Sequence, residues 1–216
     1  MKAALAKTAA LAEQFDDLKQ QHQAANLGMW VFLATEVMFF GGLFAGYVIY
    51  RGLYLPGFEA GSRLLEVKWG AINTAVLITS SLTMALAVRA TQMGSRKLQI
   101  ALLIFTMALG TTFLGIKFIL EWGHDYHQHL VPGVAFHYQG PYGSSVELFL
   151  CFYFFMTGLH ALHMIVGIVV LTVLTILSAR GRFTPEYFSP IETCGLYWHF
   201  VDVVWVALFL AIFVLK

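Results

Sequence analysis

The stretch SVELFLCFYFFMTGLHALHMIVGIVVLTVLTILS, residues 145–178, decides the fold of this chain. It runs for 34 residues and holds a single charged side chain, Glu147. At a rise of about 1.5 Å per residue, a helix of this length spans about 50 Å, which exceeds the hydrocarbon thickness of about 30 Å. We therefore predict a transmembrane helix that tilts within the bilayer or protrudes from it.

Four more apolar segments reach the length of about 20 residues that a membrane-spanning helix requires. We place them at residues 27–50, 69–88, 99–120 and 191–215. None of them shows the alternation typical of a strand, and a helix satisfies its own backbone polar groups, as lipid demands. The predicted fold class is an all-α integral membrane bundle of five transmembrane helices. An amphipathic N-terminal arm over residues 1–26 precedes the bundle.

The composition also indicates lipid as the solvent. The chain of 216 residues is 59% hydrophobic and 12% charged, whereas a soluble domain carries about 25% charged residues. A net charge of +1 gives no sign of a nucleic-acid partner. The two cysteines, Cys151 and Cys194, both lie in apolar runs, so we interpret them as small buried side chains, not as a disulfide or metal pair.

The distribution of positive charge predicts the orientation of the bundle. If the N-terminus lies in the cytoplasm, the cytoplasmic segments hold eight Lys and Arg residues and the outer segments hold four. Cytoplasmic loops of membrane proteins carry the excess of Lys and Arg. We therefore predict a cytoplasmic N-terminus and a C-terminus on the outer side. The long loop at residues 121–143 holds no Lys or Arg, which suits the outer face.

Glu36 is the most informative polar residue, because it lies nine residues into the first predicted span. A charged, unpaired carboxylate at that depth costs several kcal/mol, so we expect Glu36 to face the bundle interior and to populate its neutral form. Two interpretations stay open. The side chain makes one structural hydrogen bond between helices, or it handles protons under the influence of a partner.

Four further polar side chains lie at comparable depth: His160 and His163 in the fourth span, and His199 and Asp202 in the fifth. A spacing of three residues puts each pair on one helix face. We expect a polar seam of hydrogen bonds between the helices, since polar side chains join helices in membranes. A metal site and axial ligation of a haem are the weighed alternatives. We expect no catalytic residue, cofactor ligand or metal ligand in this chain.

Several other polar or small residues have a local interpretation. Lys117 and Glu121 are four residues apart near the end of the third span, so we expect them to pair, with Lys117 extended toward the membrane surface. Asn73 and residues 79–81 are expected to make hydrogen bonds between helices. The Gly-x-x-x-Gly motif at residues 42–46 permits close helix approach, although such motifs are common in membrane helices.

Several stretches, in order along the chain, resemble subunit III of cytochrome c oxidase. GMWVFLATEVMFFGGLFAGY resembles the glutamate-containing third helix of the seven-helix members, and INTAVLITSSLTMALA resembles the helix after it. TTFLGIKFILEW and YGSSVELFLCFYFFMTGLHALHMIVG resemble the fifth and sixth helices, and YWHFVDVVWVALFLAIFV resembles the last. Counterparts of the family's first two helices are missing, as in the five-helix forms of bacterial cytochrome and quinol oxidases.

The resemblance implies a subunit without a redox centre in a proton-pumping haem-copper terminal oxidase of aerobic respiration. Family members pack on the catalytic subunit I, which holds the haems and copper, stabilise it and support proton uptake. Glu36 matches the family's buried acid, and His160, His163, His199 and Asp202 match its polar positions. The implied partners are subunit I, other oxidase subunits, a larger respiratory supercomplex and bound phospholipid, in the bacterial cytoplasmic membrane.

Other functions fit the same residues. Within the fold, the chain could be subunit III of a quinol oxidase or the accessory subunit of a nitric oxide reductase. From a different functional class, it could be an independent transporter built on Glu36 and the polar seam. The sequence does not name the electron donor, because donor sites lie on other subunits.

Overall fold

The computed structural model describes residues 12–133 and 136–214. In chain order the helices are α1 (Leu18–Leu53), α2 (Leu55–Leu64), α3 (Val67–Gln92), α4 (Arg96–Gly115), α5 (Trp122–His127), α6 (Gly143–Ala179) and α7 (Ser189–Phe209). π-helical turns join α4 to α5 over Ile116–Glu121 and extend α7 over Leu210–Val214. Five continuous helical segments are long and apolar enough to cross a membrane, the third of them formed by α4, the π-helical turn and α5. The described residues contain no strand. The predicted all-α membrane bundle is confirmed.

The long helices alternate in direction, so the bundle has two distinct ends. At the N-terminal end, the start of α1 meets the start of α7 through His22 and Ser189, and Arg96 donates to the Ser178 carbonyl oxygen over 2.9 Å. At the opposite end, which we call the loop end, lie α2 and the connection between α5 and α6. Which end faces the cytoplasm remains the prediction made from charge.

The first helix is longer than its predicted span and lies at the edge of the bundle. Asp17 caps it by accepting a hydrogen bond from the Gln20 backbone N–H, so the helix begins within the predicted arm. Residues 1–11 of that arm lie outside the described residues. The buried side chains of α1 are Leu33, Phe40 and Tyr47, a single stripe at every seventh position. Most of its circumference is therefore open to lipid or to a partner.

The short helix α2 was not predicted, since ten residues of mixed polarity give no membrane-span signal. It packs its buried face, Gly57, Phe58 and Gly61, against α6. A Cβ atom at Gly57 would collide with Ser145, and one at Gly61 with the ring of Phe149. The two glycines therefore allow α2 to lie directly on the first turns of α6.

We expect Gly61→Leu to destabilise the chain by about 1–3 kcal/mol, because overpacking a close contact forces neighbouring side chains and backbone to shift. The matched control is Gly52→Leu, since a Cβ atom at Gly52 meets nothing within 4 Å. Thermal unfolding in detergent measures both. Equal midpoints for the two variants would show that the α2–α6 contact does not depend on glycine.

The core of the bundle is built around two tryptophans of α7. Trp198 and Trp205 have no exposed surface, and Trp198 donates its indole N–H to Ser80 Oγ over 2.8 Å. A Cβ atom at Gly110 or Gly167 would come within 2.9 Å of the Trp198 ring. Close approach in this bundle thus occurs at these glycines, whereas a Cβ atom at Gly42 of the predicted motif would meet nothing within 4 Å.

Candidate functional site

Glu36 of α1 and His163 of α6 form an ionisable pair midway along the bundle, where α1 packs on its edge. Glu36 Oε2 lies 3.2 Å from His163 Nε2, and His163 Nδ1 lies 2.8 Å from the Leu159 carbonyl oxygen. A carbonyl oxygen only accepts hydrogen bonds, so Nδ1 carries the hydrogen. Nε2 then either accepts from a neutral Glu36 carboxyl or, as imidazolium, donates to the carboxylate. In both arrangements one proton lies between the two groups, and the pair is electrically neutral.

The surroundings of this pair fix its geometry but leave one side open. Tyr197 donates to the His163 carbonyl oxygen over 2.9 Å, and the Phe40 ring packs 5.2 Å from the imidazole. The Glu36 and His163 side chains retain 18% and 17% of their accessible surface. Glu36 stands midway along α1, about 27 Å from either end at the helical rise. The pair is thus a polar, partly open spot at mid-membrane depth.

The four residues of the predicted polar seam lie in different local environments. His199 Nδ1 lies 2.7 Å from Ser81 Oγ of α3. His160 is fully buried between the rings of Phe113 and Trp205, at 5.5 Å and 5.1 Å. Neither ring nitrogen of His160 and neither carboxyl oxygen of Asp202 has a hydrogen-bond partner among the described residues. His160 lies between aromatic rings of α4 and α7, while His163 contacts Glu36, so the four seam residues do not form one network.

The packing around the seam residues can be described for the part of the chain that the structure covers. Among residues 12–133 and 136–214, no group of three or more His, Cys, Asp and Glu side chains is arranged to hold a metal ion. The His160 imidazole packs against the aromatic rings of Phe113 and Trp205. Its local environment is that of a tightly packed core histidine.

A second ionisable cluster lies toward the loop end, and we call it the buried lysine cluster: Asn73, Lys117, Glu121 and Tyr153. Lys117 has no exposed surface, and its Nζ donates to Glu121 Oε2 over 2.6 Å and to the Tyr153 hydroxyl over 3.2 Å. The Asn73 amide donates to Glu121 Oε1 over 3.1 Å. Both oxygens of this buried carboxylate therefore have donors, as a buried ion pair requires.

Aromatic rings complete the environment of the lysine. Its Nζ lies 4.6 Å from the Tyr153 ring centroid, 5.2 Å from that of Trp205 and 5.6 Å from that of Phe213. Electron-rich ring faces attract a desolvated ammonium group. The expected pairing of Lys117 with Glu121 is confirmed, but the expected extension toward the membrane surface is wrong. The lysine instead turns inward, because π-helical turns over Ile116–Glu121 place both side chains on the inner face.

Smaller expectations had mixed outcomes. Asn73 and Ser81 make the predicted hydrogen bonds between helices. Thr79 instead bonds the Ala75 carbonyl oxygen of its own helix and is exposed. Cys194 is buried and free as predicted, whereas Cys151 is free but exposed on the outer surface of α6, so its predicted burial is wrong. Apolar sequence context does not distinguish a core-facing from a lipid-facing position.

Comparison with known proteins places this architecture in a family. Residues 12–216 match the family described as Cytochrome c oxidase subunit III. The chain is 31% identical to a cytochrome c oxidase subunit 3 of Corynebacterium diphtheriae, over 88% of each chain. It is 32% identical to a quinol oxidase subunit 3 of Bacillus subtilis, over 88% of this chain and 86% of the relative. A cytochrome bo(3) ubiquinol oxidase subunit 3 of Pseudomonas aeruginosa is 27% identical, over 87% and 83%.

The relatives are named as oxidase subunits and the match extends over nearly all of the described bundle, including both ionisable clusters. The alternative of an independent transporter is not favoured, and neither is that of an accessory subunit of a nitric oxide reductase. The five-helix membrane bundle with its Glu36–His163 pair belongs to the cytochrome c oxidase subunit III family, as a subunit of a haem-copper oxidase complex.

Proposed function

We propose that this chain is a non-catalytic subunit that packs on the catalytic subunit I, stabilises it during turnover and supports its proton uptake. The observation that carries the proposal is the partly open Glu36–His163 pair at mid-membrane depth. Lipid chains offer such a pair no hydrogen-bond partner, and ionisable residues in membranes face protein or a polar cavity. A neighbouring protein surface over this pair removes the free-energy cost of exposing its polar atoms to lipid.

The protonation of the pair suits a supporting role. We propose that Glu36 and His163 share one proton across their contact of 3.2 Å, so the pair can move that proton from one group to the other without creating net charge. A neutral pair can be covered by a partner at low cost in free energy. In the proposed complex, the pair stays hydrogen-bonded and its proton responds to charges on the catalytic subunit.

The proposal also covers cofactors and lipid. We propose that haem and copper are held by partner subunits and that this chain carries no redox centre. A bound phospholipid has a suitable place in an open, apolar groove of about 690 Å³ between α6 and the loop before it. Trp122, Leu148, Phe152 and Phe155 line this groove, and their side chains suit an acyl chain.

The membrane and orientation belong to the proposal as well. The chain is a multi-pass membrane protein. We propose the bacterial cytoplasmic membrane, with the N-terminal end in the cytoplasm and the loop end outside, on the basis of the Lys and Arg asymmetry. The relatives include subunits named for cytochrome c and for quinol oxidases, so both donors fit the family. A larger respiratory supercomplex is a further proposed assembly.

Removal of this chain from the purified oxidase tests the supporting role. We expect the depleted complex to begin oxygen reduction at the rate of the complete complex and then to lose activity over successive turnovers. Addition of the purified chain should restore lasting activity. An oxygen electrode records both phases. Loss of oxygen reduction from the first turnover, with unchanged haem spectra, would instead assign this chain a catalytic role.

A further inference from the structure

A narrow cleft at the loop end leads from the surface to the buried lysine cluster. Glu66, before α3, and His124, in α5, stand at its mouth with their side chains 53% and 46% exposed and 4.0 Å apart. Glu121, Asp125 and Tyr153 line its inner part. The volume of about 10 Å³ corresponds to about one water molecule. The cleft is therefore wide enough for one water molecule, which can carry a proton inward.

Asp125 is the unusual member of this cleft. Only 4% of the accessible surface of Asp125 is exposed, and its Oδ2 has no hydrogen-bond partner among the described residues. Its carboxyl group is close enough to interact with Tyr153 and Lys117. A buried carboxylate with an unpaired oxygen is unfavourable by several kcal/mol, because it loses hydration without compensation.

The charges around the cleft do not balance if every acid is ionised. Lys117 supplies one positive charge, and Glu121 neutralises it at 2.6 Å. Asp125 then adds a second buried carboxylate. The other titratable groups that face it are Tyr153, which is uncharged as a phenol, and Glu66 and His124 at the exposed mouth. One further positive charge is needed inside, and the cleft has room for a proton, alone or carried by one water molecule.

We propose that Asp125 is a proton-binding site, which takes one proton from water at the loop end through the opening between Glu66 and His124. With that proton, the Asp125 carboxyl donates to the Tyr153 oxygen, and the Tyr153 hydroxyl donates to Glu121 Oε2, which lies 3.4 Å away. Glu121 remains the carboxylate partner of Lys117. All charges inside are then paired, and the bound proton is a structural ligand of the loop end.

Infrared spectroscopy of the purified oxidase complex tests this site. The complex should show a carbonyl band of a protonated carboxylic acid that shifts in D₂O and disappears in Asp125→Asn. The control Asp16→Asn, which changes an exposed aspartate at the other end, should keep the band. Persistence of every protonated-acid band in Asp125→Asn would overturn the proposal.

Stability against pH gives a second measurement. If the native state holds a proton that the unfolded chain releases at neutral pH, the free energy of unfolding falls as the pH rises. Asp125→Asn should remove this part of the pH dependence, since its amide does not titrate, and an unchanged dependence would contradict the site.

If Asp125→Asn does not assemble, Tyr153→Phe keeps the acid but removes its acceptor. The acid band should then shift, and an unshifted band overturns the proposal.

Discussion

Lys117→Leu is expected to destabilise the chain by about 3–5 kcal/mol, because it leaves the Glu121 carboxylate buried without its cation. Glu121→Leu should cost a similar amount for the converse reason. The double variant Lys117→Leu/Glu121→Leu should recover most of the loss, since apolar side chains of similar volume often replace a buried ion pair without net cost. The aromatic rings around Lys117 tolerate a leucine side chain as well as an ammonium group.

Thermal unfolding of the four proteins in one detergent gives the coupling energy between the two positions. The control is Lys97→Leu, which removes an exposed lysine at the start of α4 and should leave the midpoint nearly unchanged. Additive losses in the double variant would show that Lys117 and Glu121 contribute independently. The buried pair would then not be the unit that stabilises the loop end.

Glu36→Lys is expected to have the second largest effect. It should lower the stability of the bundle by about 2.5–3.5 kcal/mol, which is the cost of placing a charged side chain at the membrane centre. Glu36 lies nine residues, or about 14 Å at the helical rise, inside its predicted span, which is farther than a lysine side chain reaches. Glu36→Gln should assemble almost normally, because the amide is nearly isosteric with a protonated acid and its N–H can donate to His163 Nε2.

The amount of intact complex recovered after solubilisation, together with its unfolding midpoint, measures both Glu36 variants. His163→Gln serves as the matched change on the other side of the pair and should resemble Glu36→Gln. The opposite order, with Glu36→Gln abolishing assembly and Glu36→Lys preserving it, would contradict the neutral hydrogen-bonded pair.

Long apolar segments could be predicted from the sequence because their signal is the sum of about 20 side chains. Within the described residues, each predicted span lies in an observed long helix. The helix α2 could not be predicted, since its ten residues are too few to give a hydropathy signal. Its position depends on the close contact of Gly57 and Gly61 with α6. The extension of α1 back to Leu18 could not be predicted from hydropathy either, because the residues before position 27 are mostly polar.

The residues of the candidate sites could be predicted in part, but the contacts between them depend on how the helices pack. The sequence placed Glu36 and His163 at similar depth, but only the packing of α1 against α7 and α6 brings them to 3.2 Å. The Lys117–Glu121 pair was visible in its four-residue spacing, whereas its inward direction depends on π-helical turns that local sequence does not reveal. Asp125 could not be predicted as part of a site, because it lies in the stretch 121–143 that the sequence indicates to be a loop, whereas the structure places it in α5.

Purification of this chain with an affinity tag, with and without the other subunits of its complex, tests the supporting role most directly. Mass spectrometry and the visible spectrum of each preparation give the answer. We predict that the chain from the full complex brings with it a haem-copper subunit and its haem spectrum. We predict that the chain produced alone folds as a helical membrane protein without a haem spectrum or stoichiometric metal. Haem or stoichiometric metal in the chain produced alone would contradict a supporting subunit that acts through a catalytic neighbour.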